Sequence, residues 1–167
     1  KTLGAFGLTE PNAGSDAGGT RTKAYLDGNE WVINGEKCWI TNAGYARQVV
    51  VTAVTGQDER GKNIITAIIV PTDTPGVTIR SDYQKMGVRA SNTCEIVLEN
   101  VRVPKENVLG DEQKGFGQFL NTLDGGRISI AALSVGIAQS AFEKALQYAK
   151  ERVQFGQSIS KLQAIQF

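Results

Sequence analysis

The spacing of apolar residues changes sharply near residue 112, and this change limits the folds that the 167-residue chain can adopt. Before it, the β-branched runs VVVTAV (49–54) and IITAIIV (64–70) are bounded by polar loops, which is typical of buried strands. After Gly115, apolar residues recur mostly three and four positions apart, which is the period of an amphipathic helix. The sequence therefore predicts an α+β protein, with a β domain over residues 1–112 and a helical region over residues 113–167.

Turn-forming residues divide the β region into short strands. The dipeptides Asp27-Gly28 and Asn34-Gly35 both favour the positive φ angles of tight hairpin turns. The segment TCEIVLENVRV (93–103) predicts a last strand that ends at Pro104. Six or seven short strands of this kind predict a small antiparallel barrel or sandwich.

Glycines are expected to divide the helical region. The segment KGFGQFLNTL (114–123) predicts a short helix, and Gly125-Gly126 predicts a break after it. A long helix would then cover residues 127–151, a length of roughly 37 Å at the usual rise per residue. Gly156 is expected to end it, and a third helix is expected to begin near Ser160.

The composition excludes several classes of protein. The net charge is +1 and the basic residues are scattered, which argues against binding to nucleic acid or to a membrane surface. No apolar run approaches the roughly 18 residues of a membrane span. Because the chain has no histidine, it cannot hold a Ser-His-Asp or Cys-His catalytic site. Cys38 and Cys94 stand alone, so we expect two reduced, half-buried thiols, a reducing compartment and no metal site.

The two ends of the sequence indicate a piece of a longer protein. The chain starts at Lys1, without a methionine or a signal-like segment. It stops at KLQAIQF, within a helix-like pattern. We therefore expect that residues needed for function lie outside this chain.

Two segments of the β region are candidates for binding. The loop LTEPNAGSD (8–16) is explained either as a turn that satisfies its own backbone or as a loop that offers hydroxyls and N–H groups to a polar ligand. In KCWITNAG (37–44), Trp39 is either a core residue of a strand or the wall of a site for a planar cofactor. In the second case Thr41 would face the same side of the sheet.

Two segments of the helical region leave similar alternatives. In TLDGGRIS (122–129), Asp124 is a helix N-cap beside a solvated Arg127, or Arg127 donates hydrogen bonds to an anion. In KERVQFGQSISKLQAIQF (150–167), Arg152 lies in the last helical turn, where the helix dipole favours a cation. Alternatively, Arg152 and Gln163, on either side of Phe155-Gly156, hold an anionic group and an adenine edge.

Taken together, seven blocks of the sequence resemble the acyl-CoA dehydrogenases. The resemblance covers essentially the whole chain, and LDGGRISIAALSVGIAQ is most similar to the short-chain or butyryl-CoA branch. It implies an antiparallel β-barrel or sandwich, the middle domain of that family, followed by the first helices of an up-down helical bundle. The blocks are LTEPNAGSD, NGEKCWITNAG, DTPGV, KMGVRAS, VPKENVLG, LDGGRI and ERVQFGQSISKLQAIQF.

The resemblance also implies which residues bind FAD and acyl-CoA. Thr9 would hydrogen-bond the edge of the isoalloxazine ring, Trp39 would flank that ring, and Thr41 would bond near flavin N5. Ser15 would contact the CoA part of the substrate, with Asp124 and Arg127 on the substrate side. Arg152 and Gln163 would reach the FAD of a neighbouring subunit. The complete set implied for the cofactor is Phe6, Leu8, Thr9, Gly14, Ser15, Trp39, Ile40, Thr41, Arg152, Phe155 and Gln163.

The activity implied is oxidation of an acyl-CoA, with short chains favoured, to the trans-2-enoyl-CoA. Electrons would pass to an electron-transfer flavoprotein, from a homotetramer in the bacterial cytoplasm or, alternatively, the mitochondrial matrix. The glutamate base of the family is expected beyond residue 167, since Glu10, Glu143 and Glu151 do not match it, so no catalytic residue is assigned here. Two alternatives are an acyl-CoA oxidase-type flavoprotein that uses oxygen and a non-catalytic acyl-CoA-binding scaffold domain.

Overall fold

A curled seven-stranded sheet forms most of the computed structural model, which describes residues 2–81 and 83–167. The strands are paired in the order β1-β4-β2-β3-β7-β6, and β5 pairs with the other edge of β4. Their bounds are β1 Leu3–Gly7, β2 Lys23–Asp27, β3 Glu30–Thr41, β4 Ala46–Gln57, β5 Asn63–Pro71, β6 Val77–Arg80 and β7 Thr93–Pro104.

The predicted α+β class, strands first and helix second, is confirmed. The sheet is mixed rather than wholly antiparallel, because β1 and β2 run parallel to β4. The hairpins β2–β3 and β4–β5 and the pairs β3–β7 and β6–β7 are antiparallel. A parallel pair needs a long connection instead of a tight turn, and the segment between β1 and β4 contains two whole strands. The turn residues of the sequence did not indicate this connection.

The core of the sheet consists of the β-branched runs that the sequence marked as strands. Alternate residues of β4 and β5 are fully buried, and they pack with residues of β3 and β7. The largest of these buried apolar side chains are Ile33, Ile68, Ile96, Leu98, Val49, Val51, Val70, Val101 and Val103.

One of the two predicted hairpin turns is present and the other is not. Gly28 has a φ of +65° in the turn between β2 and β3, where Asp27 pairs with Glu30. Asn34-Gly35 instead lies within β3, so the prediction of a turn there was wrong. A Cβ on Gly35 would lie 2.4 Å from Thr22 Oγ1. This glycine therefore allows two strands to approach closely, which is a second reason for a glycine in a strand.

Helix α1 runs without interruption over Gly115–Glu151. The predicted break at Gly125-Gly126 was wrong because a glycine costs about 1 kcal/mol relative to alanine inside a helix but still donates its backbone hydrogen bond. The predicted last residue, 151, is confirmed, but Gly156 lies beyond the end of the helix and does not itself terminate it. Gly156, with a φ of +77°, lies in the tight turn of a small hairpin that follows the helix, between β8 (Val153–Gln154) and β9 (Gln157–Ser158).

The chain ends in a short helical segment, near the position where a third helix was expected. A single 3₁₀ turn covers Ile159–Lys161, and α2 covers Gln163–Gln166. None of the described helices combines the length and the apolar character that crossing a bilayer requires.

The chain forms two compact units, one ending at Leu120 and the other covering Asn121–Phe167. The first contains the sheet and the start of α1, where Phe119 is buried against Phe6 with a distance of 4.2 Å between ring centroids. The second contains the rest of α1, the small hairpin and α2. The division into domains after residue 112 stays a prediction.

Candidate functional site

The end of β3 presents Trp39 and Thr41 on the face of the sheet opposite the core. Cys38 and Ile40 are buried, whereas Trp39 is 59% exposed and Thr41 is exposed. The pairing of β3 with β7 is irregular between Lys37 and Ile40, and Trp39 has a φ of +60°. This irregularity turns the indole outward. The interpretation of Trp39 as a core residue was therefore wrong. Thr41 lies on the same face of the sheet as Trp39, as predicted.

The other tryptophan of β3 shows what the core position looks like. Trp31 is 3% exposed and belongs to the hydrophobic core of the sheet. The two tryptophans therefore share one strand and have opposite environments. The predicted turn between them does not exist, and the irregularities of the strand set their orientations instead.

The loop that follows β1 lies beside this end of β3. The backbone N–H of Cys38 donates a hydrogen bond of 2.9 Å to the carbonyl of Thr9. Within the loop, Glu10 and Ala13 exchange two backbone hydrogen bonds of 3.0 and 3.1 Å, so the turn does satisfy part of its own backbone. The loop and the strand are thus joined next to Trp39.

Three hydroxyls of this region are available to a ligand. Thr9 is part-exposed, Ser15 and Thr41 are exposed, and none of the three hydroxyls has a hydrogen-bond partner among the residues that the structure describes. An exposed flat indole with free hydroxyls nearby suits a planar ring that carries polar atoms at its edge. The donor set therefore fits a flavin.

The other predicted cofactor residues of the first unit contribute in different ways. The side chains of Leu8 and Ile40 are buried, so these residues can offer only backbone groups to a ligand. Phe6 is part-buried and stacks on Phe119, which anchors the strand that leads into the loop. Gly14 is exposed, and a Cβ placed on it would meet nothing within 4 Å.

Tyr83 is a neighbour of the site that the sequence did not reveal. Its ring stacks on the indole of Trp39, with 4.1 Å between centroids and 19° between planes. Partial burial and the nearby Glu95 carboxylate raise the pKa of Tyr83, so its hydroxyl stays protonated at neutral pH. The stack covers one face of Trp39 and limits how the indole can rotate.

A buried ion pair lies directly beneath the loop. Lys37 Nζ is 2.7 Å from Glu10 Oε1, and the lysine side chain is completely buried. The Glu10 carboxylate also accepts hydrogen bonds from the hydroxyls of Thr20 and Thr22 and from the backbone N–H groups of Arg21 and Thr22. The residues around Glu10 and Lys37 are mostly polar or charged, so no hydrophobic pattern in the sequence indicated that these two side chains are buried.

Opposing effects set the ionisation of this pair. Burial alone would raise the pKa of Glu10, but the charge of Lys37 and the hydrogen bonds from Lys37, Thr20 and Thr22 outweigh it and lower the pKa to about 2. Burial lowers the pKa of Lys37, and the hydrogen bond and charge of Glu10 partly oppose this effect. The carboxylate is thus charged at neutral pH and fully engaged.

Asn92 holds the turn that follows Thr41. Its side-chain oxygen accepts a hydrogen bond of 2.9 Å from the N–H of Gly44, and its backbone oxygen accepts one of 2.9 Å from Asn42. A Cβ on Gly44 would lie 2.8 Å from the same side-chain oxygen, so only a glycine lets the turn approach this closely. The end of β3 that carries Thr41 is therefore fixed on both sides.

In the second unit, Asp124 and Arg127 form an exposed ion pair on α1. The interpretation of Asp124 as an N-cap was wrong, because the helix begins at Gly115 and Asp124 lies in its interior. Arg127 is instead engaged by the carboxylate one turn earlier, and both side chains are about two-thirds exposed.

The remaining predicted residues surround the small hairpin. Arg152 was expected in the last turn of the helix, but α1 ends at Glu151, and the N–H of Arg152 caps it with a bond of 2.8 Å to the carbonyl of Tyr148. Phe155 has a φ of +51° at the turn of the hairpin and is 91% exposed. Gln163 is the exposed first residue of α2. The structure therefore exposes all three side chains to a ligand or to another subunit.

Comparison with known families gives two adjacent matches. Residues 5–101 match the model described as the middle domain of acyl-CoA dehydrogenase. Residues 113–167 match the model described as the C-terminal domain of the same family.

Individual proteins give the same result. The chain is 74% identical to a probable acyl-CoA dehydrogenase, YngJ, of Bacillus subtilis over 99% of its own length and 43% of that protein. It is 48% identical to the solved structure of butyryl-CoA dehydrogenase from Megasphaera elsdenii, with a TM-score of 0.91, 99% coverage of this chain and 43% of that one. An acyl-CoA dehydrogenase from Bacillus anthracis, solved in complex with FAD, is 41% identical with a TM-score of 0.87, over 97% of this chain and 28% of that one. The chain thus spans less than half the length of these relatives.

Proposed function

Because the chain belongs to the acyl-CoA dehydrogenase family, as its seven sequence blocks predicted, we propose that it is the flavin-facing part of an enzyme that oxidises an acyl-CoA to the trans-2-enoyl-CoA. The observation that carries this proposal is the arrangement at the end of β3. There the exposed indole of Trp39 is two residues before the exposed Thr41, and the neighbouring Cys38 is hydrogen-bonded to the carbonyl of Thr9 in the loop.

Bound FAD would supply the acceptor for the hydride that leaves the acyl β-carbon. Within the chain, Thr9 would donate a hydrogen bond to the edge of the flavin ring, and Thr41 would donate one near N5. Trp39 flanks the ring and keeps water away from it. The family resemblance implies each role, and the group that each residue exposes is compatible with it: a hydroxyl as donor, or an apolar flat surface.

The substrate is held by different residues of the chain. Ser15 contacts the CoA part through its exposed hydroxyl. Asp124 and Arg127 lie on the substrate side, where the guanidinium can remain paired with Asp124 and still use its other N–H groups. Arg152 and Gln163 reach the FAD of a neighbouring subunit. Such a contact requires an oligomer, for which we propose the homotetramer that the resemblance implies.

Glu10, Glu143 and Glu151 do not match the base that removes the α-proton in the family. The Glu10 carboxylate is 5% exposed and is occupied by Lys37 and by four donor groups. Glu143 and Glu151 accept hydrogen bonds from Gln139 and Gln147 on the exposed surface of α1. As the family resemblance implies, we assign the base to a part of the enzyme outside this chain.

The electron acceptor and the acyl chain length complete the proposal. An electron-transfer flavoprotein reoxidises the flavin, and short acyl chains are favoured, in line with the similarity to butyryl-CoA dehydrogenase. The relative in Bacillus subtilis makes the bacterial cytoplasm the first choice of compartment.

The test uses the complete enzyme. We expect the purified protein to be yellow and to lose its flavin absorption when butyryl-CoA is added without oxygen. Thr41→Val, which removes only the hydroxyl, should slow this bleaching by roughly 10²-fold or more, as expected for loss of a donor to developing charge. Thr41→Ser, which keeps the hydroxyl, is the matched control and should stay near the wild-type rate.

Other results would change the assignment. A colourless protein that gains no flavin on incubation with FAD would reject the proposal and favour a scaffold. Rapid oxygen consumption in the absence of an electron-transfer flavoprotein would identify an oxidase instead. Bleaching by palmitoyl-CoA but not by butyryl-CoA would contradict the preference for short chains.

A further inference from the structure

The loop and the strand that carry Thr9 and Trp39 are joined twice. One connection is the backbone hydrogen bond of 2.9 Å from Cys38 to Thr9. The other is the ion pair between Glu10 and Lys37, which lie next to these two residues along the chain. Each residue of the ion pair is thus within two positions of a side chain that faces the proposed flavin.

The pair does not act on solvent or substrate directly. Lys37 has no exposed surface, and its Nζ donates to Glu10 at 2.7 Å, to Thr52 at 3.0 Å and to Thr20 at 3.3 Å. It also lies 3.4 Å from the carbonyl of Leu8, at the start of the loop. The ammonium group therefore connects the loop, β3 and β4 at one point.

Stability alone is a weak explanation for such an arrangement. Removing two charges from water is costly, and buried ion pairs are often no more stabilising than apolar residues of the same volume. Their better attested use is to select one arrangement among several, because a misplaced loop would leave a buried charge without a partner.

A threonine hydroxyl network elsewhere in the sheet provides the comparison. Thr66 is also fully buried and bonds to Thr55 and to the carbonyl of Glu112, but it joins no part of the site.

We propose that Glu10 and Lys37 are positioning residues, which set the location of the Thr9 hydroxyl relative to the Trp39 indole and so determine how tightly and in which environment the flavin ring is held. This inference rests on the proposed function. It assigns no contact with FAD or substrate to either residue. The two charges act through the backbone of the loop and of β3.

The experiment compares three single variants and one double variant of the complete enzyme. Lys37→Met and Glu10→Gln each remove one charge and keep the approximate volume. Thr66→Val removes a buried hydroxyl of the same sheet away from the site and is the matched control. The dissociation constant of FAD, the flavin absorption bands, the flavin reduction potential and the exchange of the Cys38 amide are measured well below the unfolding temperature of every variant.

We expect both charge variants to weaken FAD binding by tenfold or more, to shift the flavin absorption bands and potential, and to accelerate exchange of the Cys38 amide. Thr66→Val should lower the unfolding temperature and change none of these. The double variant Glu10→Gln/Lys37→Met should unfold nearer the wild-type temperature than either single variant and still bind FAD weakly. This separation of stability from flavin binding is the result that a purely structural pair would not produce.

Three outcomes would overturn the inference. If the charge variants bind FAD with the wild-type spectrum and potential, or differ from wild type no more than Thr66→Val does, the pair is structural only. If the double variant regains both stability and FAD affinity, the charges do not determine the position of the loop. If the wild-type enzyme is colourless and binds no FAD, the proposed function is rejected, and the inference that rests on it is rejected as well.

A milder variant covers the case in which neither charge variant folds. Thr52→Val keeps both charges and removes one acceptor of the Lys37 ammonium, at 3.0 Å. It should shift the flavin absorption bands and accelerate exchange of the Cys38 amide in the same direction as the charge variants, but by smaller amounts. A Thr52→Val enzyme identical to wild type in both measurements would count against the positioning role.

Discussion

The two units of the chain differ in the burial of their apolar side chains. In the sheet, residues such as Ile96 and Val101 have no exposed surface and form one continuous core. In the second unit, the helix exposes Ile128, Val135 and Phe142 by more than half, and only Ala149 is buried among the described residues there.

This difference shows where the information for each fold is located. The sheet contains both sides of its own core, so its stability is expected to be a property of this chain. The helix has an apolar pattern without a partner surface in the second unit, and helical stability in proteins comes mainly from packing of such a face. This region matches the model of a C-terminal domain, and the chain spans 43% of the relative in Bacillus subtilis.

The largest expected difference between the units is the cost of shortening an isoleucine. Ile96→Ala in the sheet should lower the free energy of unfolding of the 167-residue chain by about 2–5 kcal/mol, because it leaves a cavity in a sealed core. Ile137→Ala in the helix, at a site that is 62% exposed, should change it by less than about 0.5 kcal/mol. Urea unfolding of both variants measures this, and equal losses would show that the helix face is already covered in solution.

Acid should affect the two units differently as well. The pKa of Glu10 is lowered from 4.5 to about 2 in the folded protein, so the unfolded state takes up its proton first as the pH falls. The stabilisation from this carboxylate is complete above about pH 5 and is lost between about 4.5 and 2, a change of about 3 kcal/mol. We expect Glu10→Gln to remove that part of the acid dependence, as followed by denaturant unfolding at pH 6, 4 and 2.5.

The matched control for acid is Glu143→Gln, on the exposed surface of the helix. It should change stability at each of these pH values by no more than about 0.5 kcal/mol. An acid dependence that Glu10→Gln leaves unaltered would contradict the strong pairing of Glu10 with Lys37.

Glycine to alanine changes should have opposite signs in the two units. Gly35→Ala places a methyl group 2.4 Å from Thr22 Oγ1 and 2.7 Å from its Cα, and should destabilise by about 1–3 kcal/mol. Gly126→Ala meets nothing within 4 Å on α1 and should stabilise the helix by up to about 1 kcal/mol. Thermal unfolding followed by circular dichroism distinguishes the two, and destabilisation by Gly126→Ala would reveal a close neighbour of the helix.

The smallest effects should come from the exposed ion pairs, which both units contain. Arg102 joins Asp27 and Glu30 on the sheet, and Arg127 joins Asp124 on the helix. Each arginine to alanine change should cost about 0–1 kcal/mol at low salt and less in 0.5 M salt, because exposed pairs are screened. If either change lowered the free energy of unfolding by more than about 2 kcal/mol, that arginine side chain would be buried rather than exposed in solution.

Most of the sheet could be predicted from the sequence because its strands are marked by local composition. The β-branched runs at 49–54 and 64–70 and the strand at 93–103 are all present, within β4, β5 and β7. The errors arose where one residue type serves two purposes. Glycine ends strands and helices, but it also permits close approach, as at Gly35, and it is tolerated inside a long helix, as at Gly126.

The site was less accessible to sequence reasoning, and for a different physical reason. The family resemblance implies roles for Thr9, Trp39 and Thr41, but the residues that hold them depend on contacts between distant parts of the chain. Tyr83 stacks on Trp39, and Lys37 pairs with Glu10, across long separations in sequence. A single sequence contains no local signal for such pairs, because whether a lysine is buried or solvated depends on residues far away in the sequence.

The parallel pairing of β1 with β4 has a consequence for synthesis on the ribosome. Phe6 lies beside Val50, so β1 must wait without its partner strand until β2 and β3 have been made and β4 has left the exit tunnel. Pairings this distant along the chain are slow to form, and the waiting segment is a natural target for chaperones. The loop after β1 would then reach its final position late, only after most of the sheet is complete.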